Sequence, residues 1–295
     1  MTGTITRPGG TAQLGTRTVS RVGYGAMALE RFEYDPEAAV ALLRRAAELG
    51  IDHIDTADFY GRSVSNDLIR RAFGSDEAVT VVTKVGAVRV EGGTFPLALE
   101  QRPEQLREQV HANLRSLGRD RLDVVNLRRP EVGPGITVPD DELVDLDDQL
   151  AELVALRDEG TIGAIGLSAV RHATVQRALP AGIVCVQNAF SVLSREFEDA
   201  LALCLAEGVA WVPYFPLGSG FPQLPSVTED PVVQSVASEL GVTPAQVGLA
   251  WLIGHAPNIL LIPGTGSIPH LEENAAAGGV SLTAEQRERL DAIAA

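Results

Sequence analysis

Eight apolar runs alternate with amphipathic segments along the 295 residues, and this alternation constrains the fold more than any other feature. The runs lie at residues 19–25, 51–55, 79–84, 122–127, 164–167, 183–187, 210–214 and 259–262. Between them come stretches with apolar residues at helical spacing, among them 36–49, 103–117, 146–159, 196–207 and 244–255. Gly50, Gly118, Gly160 and Gly208 each follow such a stretch, where a left-handed C-cap is expected. Short runs that are apolar on both faces belong in a parallel sheet covered by helices. Eight of them in a chain of this length predict a closed α/β barrel, a (β/α)8 TIM barrel, with residues 1–295 as one domain.

An open doubly wound sheet would show Gly-x-Gly-x-x-Gly between its first strand and helix. Here Gly23-Tyr24-Gly25-Ala26-Met27 lacks the third glycine and does not lead directly into a helix. The stretch 11–19 suits a small hairpin around Gly15 that closes the barrel bottom. Three βα connections, 86–102, 129–145 and 218–230, are long and rich in Gly and Pro. On a barrel they stand on the catalytic rim, as a substrate pocket and a cofactor-covering loop, or else as tolerated surface insertions.

The charge balance, 24 basic against 39 acidic residues, gives a net charge of −15. That disfavours nucleic acid and anionic membranes as partners, and an anionic ligand would need a local basic site. Cys185 and Cys204 lie inside apolar runs and read as buried free thiols. The opening MTGTITRPGG has no apolar signal-type core and no run reaches membrane-spanning length, so a cytoplasmic protein is expected. No histidine, cysteine or carboxylate cluster has metal-ligand spacing, and no metal is expected. His53, two residues from Asp55 along a strand, reads as a hydrogen-bonded core histidine.

The chemistry-bearing residues stand just past strand-like runs. Asp55 and Tyr60 occur in Asp55-Thr56-Ala57-Asp58-Phe59-Tyr60-Gly61, and Lys84 closes the run from Val79. A phenol titrates near pH 10, too high to donate readily at neutral pH; a nearby ammonium stabilises the phenolate, and a carboxylate holds the ammonium. Such a trio suits general acid catalysis on a carbonyl oxygen. Taken singly, Tyr60 could be a rim aromatic before a turn glycine, and Lys84 a strand-end lysine reaching solvent.

Further signals follow in strand order: Gly166-Leu167-Ser168, Val186-Gln187-Asn188, Tyr214-Phe215-Pro216-Leu217-Gly218, Ile262-Pro263-Gly264-Thr265 and Leu271-Glu272-Glu273-Asn274. Together with the trio, this set resembles the aldo-keto reductases over essentially the whole chain. His53-Ile54-Asp55-Thr56, the run from Leu122 to Arg128, Ile183 to Asn188, and Pro257 to Thr265 look like the bacterial pyridoxal reductases of that family.

The resemblance implies hydride transfer between a nicotinamide cofactor and an aldehyde or ketone, pyridoxal among the candidates. Tyr60 would protonate the nascent alkoxide, and Lys84, paired with Asp55, would lower the phenol pKa. The family usually carries a histidine at the end of the fourth strand, where this chain has Arg128. An arginine cannot relay a proton but can orient and polarise a carbonyl; alternatively it snorkels from the rim or pairs with a loop carboxylate. Ser168 and Gln187 would bond the nicotinamide carboxamide and Tyr214 would stack on its ring, while Ala169 replaces the usual second carboxamide partner, asparagine. Thr265, Ser267 and His270, with the helix N-terminus behind Gly264, would take the phosphate of NADPH, preferred here over NADH. Gly25, Met27, Pro216, Leu217, Gly218, Pro263, Glu273 and Asn274 complete the implied cofactor site. The partner is then a small-molecule carbonyl, and the chain a monomer or weak homo-oligomer. The altered positions Arg128 and Ala169 leave one alternative open, a non-catalytic, cofactor-binding regulatory subunit on the same barrel.

Overall fold

Side-chain parity along seven short parallel strands organises the molecule. The structure, a computed structural model, describes residues 6–92, 96–218 and 224–294. The strands of its central sheet neighbour one another in chain order: β1 (Tyr24–Gly25), β2 (His53–Asp55), β3 (Thr80–Val85), β4 (Leu122–Arg128), β5 (Ile162–Ser168), β6 (Ile183–Gln187) and β7 (Ala210–Trp211). Residues 259–261 take the eighth position. Leu261 accepts from Gly23 N and donates to Arg21 O, each at 2.8 Å, while Leu260 N donates to Trp211 O and Trp211 N to Asn258 O, each at 2.9 Å. The sheet thereby closes into the expected (β/α)8 barrel.

The two-faced apolar pattern has a direct structural meaning. On β3, Val81 faces the layer beneath the helices and Val82 faces the barrel interior. On β4, Val125 and Leu127 face outward and Val124 inward; on β6, Val186 faces outward and Cys185 inward. Fully burying one such side chain contributes roughly 1.5–3 kcal/mol, more than the whole span of β propensity, about 1 kcal/mol, so two-sided burial selects these runs as strands. Leu14 and Val19 fill the interior from below. They belong to the hairpin Thr11–Leu14 and Arg17–Ser20, turned at Gly15 with φ 62°.

Helices run Pro36–Glu48, Pro103–Leu117, Leu146–Asp158, Glu198–Ala206 and Pro244–His255, within two residues of the predicted limits. Gly50, Gly118, Gly160 and Gly208 all carry the left-handed φ that the C-cap reading requires. The run 19–25 divides between the floor hairpin and β1, because Arg21 and Gly23 bond residue 261 across the barrel seam. The connection 86–102 holds a hairpin of its own, Ala87–Arg89 with Leu97–Leu99. Residues 1–5, and parts of the rim connections at 93–95 and 219–223, lie outside the described residues. No single helix among the described residues is long and apolar enough to cross a membrane.

Candidate active site

Four of the inward-facing columns of side chains are apolar toward the barrel floor and polar toward the C-terminal strand ends. Val82 leads to Lys84 on β3, Val124 to Asn126 and Arg128 on β4, Ala164 to Ser168 on β5, and Cys185 to Gln187 on β6. His53 and Asp55 form the column of β2. The period of two along each strand thus gathers Asp55, Lys84, Arg128, Ser168 and Gln187 at the C-terminal mouth, from five different strands.

Lys84 is the hub. Its buried ammonium forms an ion pair with Asp55, donates to the Thr56 carbonyl at 3.0 Å, and stands 5.1 Å from the centroid of the Tyr60 ring. Burial works against its charge, but Asp55 and Tyr60 outweigh that and hold the Lys84 pKa above its usual value. Asp55 spends its other oxygen on Gln187, whose Nε2 donates to Oδ2 at 2.7 Å. The Lys84 side chain therefore does not reach solvent.

Tyr60 is pulled in two directions, and Lys84 acts in the expected one. Burial raises its phenol pKa, and although Lys84 and Arg128 pull it down, the balance stays above the ordinary phenol value. The phenol is therefore protonated at neutral pH, the state in which it can donate. Its loop bends through three consecutive left-handed residues, Gly61, Arg62 and Ser63, with φ of 61°, 55° and 67°. Two non-glycine residues in that region cost about 1–2 kcal/mol each. Asp58 holds the bend: Oδ1 accepts from Ser63 Oγ at 2.8 Å and from Ser116 Oγ, on the helix Pro103–Leu117, at 2.7 Å.

Arg128 neither snorkels outward nor pairs with a loop carboxylate. Among the described residues its guanidinium donates no hydrogen bond and forms no ion pair, and Nη1 is buried without a partner. Burial lowers its pKa, opposed by Tyr214 and Tyr60. Its carbonyl accepts from Gln101 Nε2 at 2.8 Å, which fixes the backbone from which the side chain projects.

The residues expected at the cofactor fall on the same end of the barrel. Gln187 Oε1 is buried and unpartnered, and Ser168 lies level with Gln187 in the β5–β6 register. Tyr214 donates to Gly133 O at 3.4 Å, and burial pushes its phenol up to about 12. Pro216 is buried, Leu217 is half-buried, and Gly218 turns the chain with φ 77°. A Cβ on Gly25 would collide with the Ile262 carbonyl, so glycine alone lets the β1 end lie against residues 262–264. Gly25 N donates to Pro263 O at 3.4 Å, and Gly264 passes close to Gly25 O. Thr265 is anchored by Tyr24, whose hydroxyl donates to its carbonyl at 2.7 Å, and its own hydroxyl accepts from Ser267 N at 3.0 Å. Ser267 starts the helix Ile268–Ala276 without a side-chain cap, leaving first-turn N–H groups for another acceptor. On that helix Asn274 is buried, Glu273 is half-buried and His270 is exposed; Met27 is exposed beside β1.

Ala169 occupies a left-handed position, φ 57°, and its N–H donates to Gln187 O at 2.9 Å. Asparagine tolerates that region better than alanine, so the departure from the family pattern costs backbone strain as well as a side-chain amide. His53 corrects one expectation. Both ring nitrogens are buried with no well-formed hydrogen bond, the Leu261 carbonyl giving only a weak one, and burial lowers the pKa to about 4.

Several supporting residues carried no motif. Thr56 Oγ1 donates to Asn66 Oδ1 at 2.8 Å, and Thr83 Oγ1 donates to Asn113 Oδ1 at 2.5 Å. Asn66 Nδ2 donates to Asn113 Oδ1 at 3.1 Å, which joins the Lys84 strand to the Tyr60 loop. Asn126 was within reach of sequence reasoning, since it shares the parity of Val124 and Arg128. Asn66 and Asn113 lie on helices where polar residues are ordinary, so nothing in the sequence set them apart.

A profile of the Aldo/keto reductase family matches residues 21–295. The chain is 44% identical over 291 residues to a pyridoxine 4-dehydrogenase of Escherichia coli K12, covering 96% of this chain and 98% of the relative. A holo-form aldo-keto reductase from Bacillus halodurans superposes with a TM-score of 0.76 at 26% identity, over 97% of this chain and 96% of that one. A Klebsiella pneumoniae aldo-keto reductase in complex with NADPH gives a TM-score of 0.79 at 24% identity, over 96% and 94%, a likeness of fold. The chain belongs to the aldo/keto reductase family, nicotinamide-dependent oxidoreductases of aldehydes and ketones.

Proposed function

We propose that the protein reduces an aldehyde of the pyridoxal type to its alcohol with NADPH, Tyr60 serving as the general acid. The observation that carries this reading is Lys84, buried between the Asp55 carboxylate and the Tyr60 ring. When bound, NADPH supplies a hydride to the carbonyl carbon. Tyr60 then delivers its proton to the carbonyl oxygen, and the positive charges of Lys84 and Arg128 stabilise the phenolate left behind. Arg128 directs N–H donors at the carbonyl oxygen and polarises it without exchanging a proton.

The chain's residues suit the cofactor. Gln187 Oε1 offers an unused acceptor to a carboxamide N–H, Ser168 lies beside it, and Tyr214 stands at the next strand end. Thr265, Ser267 and the uncapped helix N-terminus offer hydroxyl and N–H donors to phosphate, with His270 on the same first turn. Pyridoxal as substrate rests on the 44% identical pyridoxine 4-dehydrogenase. The buried thiols Cys185 and Cys204 suit a reducing, cytoplasmic setting; a small carbonyl is the partner the family implies, and the strong net charge favours a monomer or weak homo-oligomer.

The test is NADPH and NADH oxidation followed by absorbance with pyridoxal, aromatic and aliphatic aldehydes, and quinones, in wild type and Tyr60→Phe. Turnover of pyridoxal with NADPH, falling at least about 100-fold in Tyr60→Phe while NADPH binding persists, is the expected result. Tight cofactor binding with no turnover of any carbonyl would instead point to a non-catalytic role.

A further inference from the structure

Arg128 places an uncompensated positive charge in the site. Two cations, Lys84 and Arg128, face one carboxylate, Asp55, and both oxygens of Asp55 are committed, one to Lys84 and one to Gln187. Tyr60 is held as the neutral phenol. The guanidinium stays protonated in any protein setting. Although the chain carries a net charge of −15, no carboxylate among the described residues reaches Arg128. Arg128 is half-buried, with Nη1 fully enclosed and unpartnered, and a charge held partly away from water gains from a counter-charge that a ligand can supply.

A simple aldehyde would supply one neutral oxygen, which Tyr60 must also reach. We propose that the preferred substrates are aldehydes with an ionised oxygen on the neighbouring ring carbon, ortho-hydroxy aromatic aldehydes, and that Arg128 binds both oxygens at once. The inference rests on the reductase reading above. In such a compound the carbonyl and phenolate oxygens lie on one edge and share charge through the intervening double bond, as a carboxylate does. The planar guanidinium fork matches that edge with two parallel N–H donors, whereas an imidazole offers only one N–H in that direction. The step balances as ordinary carbonyl reduction: the C=O π bond breaks, hydride forms the C–H bond, the Tyr60 proton forms the O–H bond, and NADPH is oxidised to NADP+. The phenolate is unchanged and stays on Arg128.

The test compares kcat/KM for 2-hydroxybenzaldehyde, 2-methoxybenzaldehyde, 4-hydroxybenzaldehyde and benzaldehyde with NADPH, at a pH where the phenols are ionised. The methoxy compound keeps the oxygen but cannot ionise, and the 4-hydroxy compound ionises at the wrong place. A hydrogen-bonded charge contact predicts an advantage of about 10-fold or more for the 2-hydroxy compound, growing with pH as its phenol ionises. In Arg128→Met the ratio to the methoxy compound is expected to fall to near one, and Arg128→Lys, with charge but no fork, to keep part of it. As a readout independent of turnover, 2-hydroxybenzaldehyde bound to the NADP+ complex should show phenolate absorption below the pH of its free ionisation. Equal kcat/KM values in wild type, a ratio unmoved by Arg128→Met, or neutral phenol in the complex would each overturn the proposal. Loss of turnover with all four aldehydes and with pyridoxal would overturn the reductase reading itself, and the proposal with it.

Discussion

Gln187 Nε2 donates a 2.7 Å hydrogen bond to Asp55 Oδ2 across the barrel, a contact between residues 132 positions apart. The bond fixes the carboxylate on the side opposite Lys84, and it also fixes the Gln187 amide so that Oε1 is left without a partner. One side chain thus braces the Asp55–Lys84 pair and leaves a free acceptor for the proposed cofactor site.

Gln187→Leu removes that bond from a buried carboxylate. A hydrogen bond to a charged group is worth about 1.5–3 kcal/mol. We expect a loss of that size in urea denaturation, together with weaker NADPH binding by fluorescence titration. Weaker cofactor binding with unchanged stability would show that the Asp55 contact adds nothing to the fold.

Lys84→Met strands the Asp55 charge in the interior, which costs roughly 3–5 kcal/mol. Adding Asp55→Asn should recover most of this stability, because the pair is then neutral and Asn can still accept from Gln187. Neither the single nor the double variant should reduce aldehydes. Recovery of activity in the double variant would remove Lys84 from the mechanism.

Ala169 holds a left-handed backbone at φ 57°. In Ala169→Asn the side chain tolerates that region and offers a carboxamide partner. Relief of strain and one new hydrogen bond are each worth about 1 kcal/mol, so higher stability and roughly 5-fold tighter NADPH binding are expected. Dissociation constants and melting temperatures of the two proteins decide it.

His53 gives a pH dependence with a definite sign. Burial lowers its folded pKa from 6.5 to about 4, so between these values the unfolded chain binds more protons. The neutral ring's contribution is fully present above about pH 6.5 and is lost as pH falls toward 4, amounting to about 3 kcal/mol at 1.36 kcal/mol per unit. Denaturant midpoints across that window should slope more steeply in wild type than in His53→Gln. Equal slopes would mean that His53 is charged in the folded protein.

The barrel was legible because its signal is local and repeated. Two-sided apolar runs such as 79–84 and 122–127 can be buried only in a covered parallel sheet, and the glycines at 50, 118, 160 and 208 mark helix ends by backbone geometry alone. The trio Asp55, Tyr60 and Lys84 was legible for a related reason, since strand ends in such a barrel share one mouth. Its electrostatic state was not. Lys84 draws the phenol down as expected, but the net direction depends on how much water the closed barrel excludes, and burial is the larger effect on Tyr60.

By itself, then, the sequence determined the strand and helix pattern, the end of the barrel where the candidate site residues gather, and the residue types there. Tertiary structure alone decided which side chains share partners: Gln187 with Asp55, Asp58 with Ser116, and Arg128 with none among the described residues. The reason is physical. Residue pattern is set by which faces are buried, a property each segment carries along its own length. Hydrogen-bond partners and pKa shifts depend on angstrom distances and on burial, and these exist only once the distant segments have closed around one another.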